Sequence, residues 1–389
     1  MARIAIIHSA LNRSLGGAEK LCIETIQALQ QAGHSVDFVS TGKTDHGMLR
    51  ELFAVDISPE KELVSWPPLT IPSTIYSRFL YLITRDALFV PRLKKKYDLI
   101  ITTKPLLPLG FADIMYMHFL DFPGSLRVFY KKYQKGYSGF YALPRDFLTK
   151  LSIDLFNLLE SKPNIITNSM FSRSVIMKYL NVNPLVIYPP VDVERYIALS
   201  QRRIRENIVL TISRIDEDKG LEIVPQIASK LSDARFVILG SLASKRYLQE
   251  LVDIIKKLGV QDRVMLIPNA SHGVKKDFLS RSKVFLHPMR YEHFGISPVE
   301  AMSAGVALVV NKSGGPWIDI LDRKQGVYGY SYEDFDSCLF HIDQIIHDNG
   351  LRMNLVNRAV ERSKRFASRV YRERMKAIVA RILETKNAQ

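Results

Sequence analysis

The sequence predicts an α/β protein built from two doubly wound domains, and three observations carry that prediction. Short β-rich apolar runs alternate with helix-length amphipathic segments along the chain. The strand candidates are almost continuously apolar, as expected of parallel sheets covered on both faces. The pattern restarts after a polar stretch at residues 200–206, and 389 residues suit two domains of roughly 100–200 residues each.

Taken in order, Arg3–Ile7 reads as a buried strand. A glycine-bearing loop, Ser14-Leu15-Gly16-Gly17-Ala18-Glu19, then opens a helix ending near Gly33, and Ser35–Ser40 is the next strand. Residues 98–102, 114–118, 164–168 and 185–188 continue the strands of the first half. In the second half, strands are expected at 207–212, 236–240, 264–267, 284–287 and Ala307–Asn311. Helices are expected there at 221–231, 247–258, 275–280 and 298–303. The first domain is expected to span residues 1–195 and the second 196–365, with a helix at about 366–389 packing back on the first. Two such domains are expected to face each other across a cleft, where the carboxyl ends of the strands bind ligands.

Composition narrows the function classes. The net charge of +15 calls for an anionic partner: nucleic acid, a phosphate-bearing ligand or an acidic membrane surface. Two cysteines, Cys22 and Cys338, exclude a disulfide scaffold and point to a reducing compartment. The N-terminus has no signal-peptide pattern, and no run of about 18 uncharged apolar residues is present. A cytoplasmic protein able to sit on a membrane surface is expected. Charge gathers at residues 74–150, which hold a net +8 and 16 of the 38 aromatic residues. Its densest part contains Lys131, Lys132, Tyr133 and Lys135.

Four stretches carry candidate chemistry. In Arg290-Tyr291-Glu292-His293-Phe294-Gly295-Ile296-Ser297-Pro298-Val299-Glu300, Ser297 is a good N-cap, Pro298 suits the first helical position, and Glu300 completes a capping box. Glu300 therefore has a structural reading beside a binding one. Amides at Gly295 and Ile296 open the helix and suit an anionic phosphate. Glu292, in the preceding loop, is either a solvated acid or an acceptor for sugar hydroxyls.

The second stretch is Ser213-Arg214-Ile215-Asp216-Glu217-Asp218-Lys219-Gly220, where Arg214 and Lys219 straddle a strand-to-helix loop. Both side chains are expected to face solvent and to clamp a diphosphate. The acidic triplet imitates a divalent-metal motif, but its own basic flanks are the preferred partners, so no metal is expected. The third is His118, ending a strand in Met115-Tyr116-Met117-His118-Phe119, which a structural role also explains. The fourth is Gly16-Gly17, which a tight turn also explains and which is not the dinucleotide-binding fingerprint.

Together these stretches resemble the retaining GT-B glycosyltransferases of family 4. Glu292 and Glu300 match that family's Glu-x7-Glu signature, Arg214 and Lys219 its phosphate-binding pair, and Gly16-Gly17 its first-domain glycine loop. A narrower likeness, carried by Leu286-His287-Pro288-Met289, Ser313-Gly314-Gly315-Pro316 and Ile187-Tyr188-Pro189-Pro190, is to mannosyltransferases of dolichol-linked oligosaccharide synthesis. Within these it is nearest the cytosolic-face α-1,2-mannosyltransferase. The resemblance implies two Rossmann-like domains and a nucleotide-sugar donor, GDP-mannose, with no metal or other cofactor. It implies a lipid-linked glycan acceptor reached from the cytosolic face of a membrane. Arg214 and Lys219 would bind the diphosphate, Glu300 the ribose and Glu292 the transferred sugar. Amides of Phe294, Gly295 and Ile296 would meet phosphate or sugar oxygens. Gly16 and Gly17 would admit the phosphate, and His118 would lie near the sugar. Lys131, Lys132, Tyr133 and Lys135 would face membrane and acceptor. Three other readings stand beside this one: a soluble family-4 enzyme acting on a small sugar phosphate, a nucleic-acid-binding protein, and a nicotinamide-dependent oxidoreductase. No nucleic-acid motif supports the second, and the third lacks its fingerprint.

Overall fold

A computed structural model describes residues 1–12, 16–53, 55–64, 90–105, 110–119, 142–202 and 204–388, with backbone alone for 52–53 and 142–149. The membrane-facing set Lys131, Lys132, Tyr133 and Lys135 lies outside the described residues. The chain divides into two units, Met1–Pro190 with Ser368–Gln389, and Val191–Ala367.

In chain order the first unit contains β1 (Arg3–Ile7), α1 (Gly17–Gln31), β2 (Ser35–Ser40), α2 (His46–Phe53), β3 (Lys61–Val64) and α3 (Val90–Leu93). There follow β4 (Leu99–Thr102), β5 (Ile114–Met117), α4 (Ala142–Asn157), β6 (Asn164–Thr167), α5 (Met170–Leu180) and β7 (Leu185–Val186). The strands lie in the order β3-β2-β1-β4-β5-β6-β7, and all pairs are parallel. Parallel pairing requires a crossover after each strand, and the helices that supply the crossovers cover the faces. That is why β1, β2 and β4 are buried from end to end apart from Arg3.

The second unit contains α6 (Val193–Ile197), β8 (Glu206–Ile212), α7 (Ile223–Ala228), β9 (Arg235–Gly240), α8 (Lys245–Lys257) and β10 (Val264–Pro268). It continues with α9 (His272–Arg281), β11 (Ser282–His287), α10 (Ile296–Ser303), β12 (Ala307–Asn311) and β13 (Tyr330–Tyr332). Helices α11 (Phe335–His347) and α12 (Asn349–Ser363) close it, and its parallel sheet runs β10-β9-β8-β11-β12-β13.

Both sheets reverse their winding once, between β1 and β4 in the first unit and between β8 and β11 in the second. At such a switch point the adjacent crossovers leave in opposite directions, so a crevice opens outside the strand carboxyl ends. His8 and the Gly16 loop follow β1, and Thr103 and Lys104 follow β4. Arg214–Lys219 follow β8, and residues 288–295 follow β11. Arg205 braces the base of the second sheet. Its buried guanidinium donates to the carbonyls of Leu199, Leu279, Ser282 and Ala304 at 2.6–3.0 Å.

The last helix, α13 (Ser368–Asn387), belongs to the first unit. Tyr371, Met375 and Val379 lie 2%, 0% and 0% exposed in the core that contains Leu21, Cys22, Ile26 and Ile4. The Tyr371 hydroxyl shares a hydrogen bond with Thr25 at 2.6 Å, and Arg372 donates to Glu24 at 2.6 Å. Tyr371→Ala should cost the first unit about 3–5 kcal/mol, the usual range for emptying a buried aromatic site. The measurement is hydrogen exchange, with faster exchange expected in β1 and α1 and unchanged exchange in β8.

Candidate active site

The second unit builds its site on two loops. Asp216 caps a short 3-10 turn, its Oδ1 accepting from the Glu217 amide at 2.9 Å, and Gly220 leaves the turn at φ +63°. This geometry turns Lys219 inward. The expectation that Lys219 faces solvent is therefore corrected: its side chain is 11% exposed, while Arg214 at 54% remains open. Lys219 Nζ lies 2.8 Å from Met289 Sδ, 3.5 Å from Glu292 Oε2 and 3.6 Å from Asp218 Oδ2.

Glu292 is held from several directions. Its Oε2 also lies 3.6 Å from His287 Nε2, and its Oε1 accepts from the His293 amide at 3.0 Å. Burial pushes the Glu292 carboxyl up, but Lys219 and His287 outweigh it and hold the group well below the usual carboxylate range. It is thus an ionised acceptor, suited to hydroxyl donors. The loop Ser313–Pro316 supports it from beneath. Ser313 Oγ accepts from the Tyr291 amide at 2.8 Å, and the Gly315 amide donates to the Glu292 carbonyl at 2.7 Å. A Cβ on Gly314, where φ is +68°, would lie 2.3 Å from that carbonyl oxygen, so only glycine allows the approach.

The expected capping box at Ser297 does not form. Gly295, at φ +97°, is the N-cap, and α10 starts at Ile296, so Ser297 and Pro298 fall inside its first turn. Released from capping, Glu300 turns its carboxylate to Lys275 and Tyr196. Oε2 accepts from Lys275 Nζ at 2.5 Å, and Oε1 accepts from the Tyr196 hydroxyl at 3.3 Å. The Phe294 side chain is core, 2% exposed and edge-on to Phe366 at 5.5 Å. The acidic triplet is occupied locally. Asp216 and Asp218 lie 3.7 and 3.6 Å from Arg214, and Glu217 pairs with Arg246. Among the described residues no three His, Cys, Asp or Glu side chains group to hold a metal.

The first unit gathers a second cluster at its own switch point. Glu19, in the first turn of α1, reaches back so that Oε2 accepts from the Gly16 amide at 2.9 Å. Its Oε1 accepts from Lys104 Nζ at 2.7 Å and lies 3.6 Å from His8 Nε2. Burial raises the Glu19 carboxyl, yet His8 and Lys104 prevail and hold it far below the ordinary range. Gly17 is the first helical residue, and Gly16 is extended at φ −144°. A Cβ on Gly16 would meet only Glu19 Oε2, at 3.5 Å, so packing among the described residues does not demand glycine there.

His118 follows β5. Its Nε2 lies 3.0 Å from the Thr103 carbonyl, which only accepts, so Nε2 carries the hydrogen and Nδ1 is the acceptor. Burial, with His8 and Lys104 nearby, lowers its pKa to about 3. The ring is neutral near neutral pH. Sequence motifs identified Arg214, Lys219, Glu292 and Glu300 but not their partners His287, Lys275 and Tyr196. They also left His8, Glu19 and Lys104 without a role. The available signal was position: His8 and Lys104 each fall within two residues of a strand end.

Comparisons with known proteins find likenesses across both halves of the chain. The family model described as "Glycosyl transferases group 1" matches residues 192–362, and "Glycosyltransferase Family 4" matches residues 15–195. Alpha-1,3/1,6-mannosyltransferase ALG2 of Candida glabrata is 25% identical, over 89% of this chain and 86% of that protein. GDP-Man:Man(3)GlcNAc(2)-PP-Dol alpha-1,2-mannosyltransferase of Neurospora crassa is 33% identical, over 37% of this chain and 29% of that protein. Among solved structures, sucrose-phosphate synthase from Thermosynechococcus elongatus shares the fold with a TM-score of 0.75 at 17% identity, covering 99% of this chain and 100% of that one.

His118 gives the first unit a pH dependence with a definite sign. The unfolded chain takes a proton on this ring below about pH 6.5, whereas the folded chain refuses it until about pH 3. Stability therefore falls as pH drops through that window. His118→Gln should flatten the slope by up to about 1.4 kcal/mol per pH unit. Hydrogen exchange of first-unit amides at a series of pH values, corrected for intrinsic exchange, measures it.

Proposed function

Because the chain is a GT-B glycosyltransferase of family 4, we propose that it transfers mannose from GDP-mannose, with retention, to a lipid-linked oligosaccharide. The observation that carries this reading is the constellation at the second switch point. There, Arg214 and Lys219 offer two cations to a diphosphate, and Glu292 and Glu300 offer two carboxylates to hydroxyls. Mannose, the guanine nucleotide and the lipid-linked acceptor are supported by the names of the relatives above.

In the proposed reaction the C1–O bond to the diphosphate breaks while the acceptor oxygen bonds C1 from the same face. The acceptor proton passes to the departing diphosphate oxygen, so no protein nucleophile is required. Arg214, Lys219 and the amides at Gly295 and Ile296 stabilise the charge that collects on the leaving group. Glu292 accepts from hydroxyls of the transferred sugar. Glycine at position 16, which packing does not demand, lets ligand oxygens approach the first-unit backbone. His118 Nδ1 accepts from a sugar hydroxyl. No metal is invoked, and activity should persist in excess EDTA.

The protein would work at a membrane surface. Among the described residues no helix is long and apolar enough to cross a bilayer. On α4 and the turn after it, Leu151, Leu155 and Leu158 are 41%, 52% and 79% exposed at helical spacing, an apolar stripe suited to the interface. Lys131, Lys132 and Lys135 supply charge for anionic lipid. Changing these three lysines to glutamate should reduce flotation with anionic vesicles and transfer to a lipid-linked acceptor, and spare hydrolysis of GDP-mannose. Flotation indifferent to lipid charge and to these changes would favour a soluble sugar-phosphate acceptor.

The donor site has its own test. GDP should raise the melting temperature and UDP should not; the reverse would overturn the guanine assignment. Arg214→Ala should lower kcat about a hundredfold with an unchanged melting temperature. Lys219→Ala should lower both, because it strands the buried Glu292 carboxylate. Near-normal activity in both variants would place the diphosphate elsewhere.

A further inference from the structure

Glu300 is met by side chains from two other parts of the second unit. Lys275, on α9, brings Nζ to 2.5 Å from Oε2, and Tyr196, on α6, brings its hydroxyl to 3.3 Å from Oε1. The two partners also touch each other, with Nζ 5.6 Å from the centre of the Tyr196 ring. The Lys275 and Glu300 side chains are 22% and 14% exposed, so the pair is weakly screened by water. Glu300 is the only carboxylate within ion-pair distance of Lys275 among the described residues.

An ionised carboxylate offers about four lone-pair sites, and two are used here. The remaining two suffice for a vicinal diol. The two existing bonds are unequal: the lysine contact is short and charge-assisted, and the tyrosine contact is long and neutral. Lysine therefore sets where the carboxylate points, and tyrosine is the partner that can give way to a ligand hydroxyl.

Resting on the ribose role proposed for Glu300, we propose that Lys275 is a positioning residue. It holds the Glu300 carboxylate in one rotamer for the two hydroxyls of the nucleotide ribose, and Tyr196 is the exchangeable partner. Without Lys275 the carboxylate must be ordered anew each time a nucleotide binds, and that cost appears in affinity. Because the ribose is remote from the reacting carbon, the loss should fall on donor KM more than on kcat.

The test compares GDP with 2′,3′-dideoxy-GDP by calorimetry on the full chain. Lys275→Met should weaken GDP about tenfold, leave dideoxy-GDP within twofold, and raise donor KM. Lys275→Arg, which restores the cation, should recover most of the GDP affinity and serves if the methionine variant folds poorly. In the Lys275→Met/Glu300→Gln double variant the losses should not add. Equal weakening of both nucleotides by Lys275→Met would show that lysine acts elsewhere than through the ribose, and overturns the inference. So does an unchanged GDP affinity in Lys275→Met when Glu300→Gln alone weakens GDP. If Glu300→Gln binds GDP like the parent chain, the ribose role itself fails and takes the inference with it.

Discussion

The contact between Lys219 and Glu292 ties together the two loops on which the second unit's site is built. One loop follows β8 and the other follows β11, and the strand order places those ends side by side. Neither charge tolerates the other's absence at that depth. Around the pair, the 3-10 turn at residues 217–219, the positive φ of Gly220 and the glycine-lined support under Glu292 all read as devices that bring two charges together. The pair is 3.5 Å apart, longer than a good direct hydrogen bond, and it leaves both groups able to take a further partner.

The first unit repeats the arrangement with the roles exchanged. There the glutamate, Glu19, follows the first strand of the switch point, and the lysine, Lys104, follows its neighbour β4. Each glutamate has a histidine at 3.6 Å from the end of a flanking strand, His8 in one unit and His287 in the other. The correspondence follows from topology. A doubly wound sheet provides one place where two strand ends share a crevice, and a lysine–glutamate pair joins the loops there, its lysine half exposed in the first unit and nearly buried in the second. In the first unit the carboxylate also holds the Gly16 amide, so the pair fixes the entrance to α1.

Much of this was legible in the sequence. Arg3–Ile7, Ser35–Ser40 and Ala307–Asn311 are strands with the expected bounds, because strands inside a covered parallel sheet are buried on both faces and carry an apolar centre. Of the four edge strands, β7 and β10 begin where expected, at Leu185 and Val264, whereas β3 and β13 were missed. Lys61–Val64 is charged and half exposed, and Tyr330–Tyr332 is three residues long, so neither shows a strand period. The motif residues were visible because each loop is contiguous. Their partners were not, since Lys275 and Tyr196 reach Glu300 across 25 and 104 residues. The capping box failed for a local reason: a left-handed glycine two residues upstream of Ser297 starts the helix early.

The first unit is discontinuous in the chain, and this has a consequence for how the protein is made. Residues 191–367 form the second unit without interruption, so its core can close as soon as that stretch has left the ribosome. The first unit begins earlier and finishes later. Until Tyr371, Met375 and Val379 emerge, α1 presents Leu21, Cys22 and Ile26 without the helix that covers them. During synthesis the older half of the molecule must wait, partly open, for the younger half to be completed. A chaperone that recognises exposed apolar helix faces would find its target there.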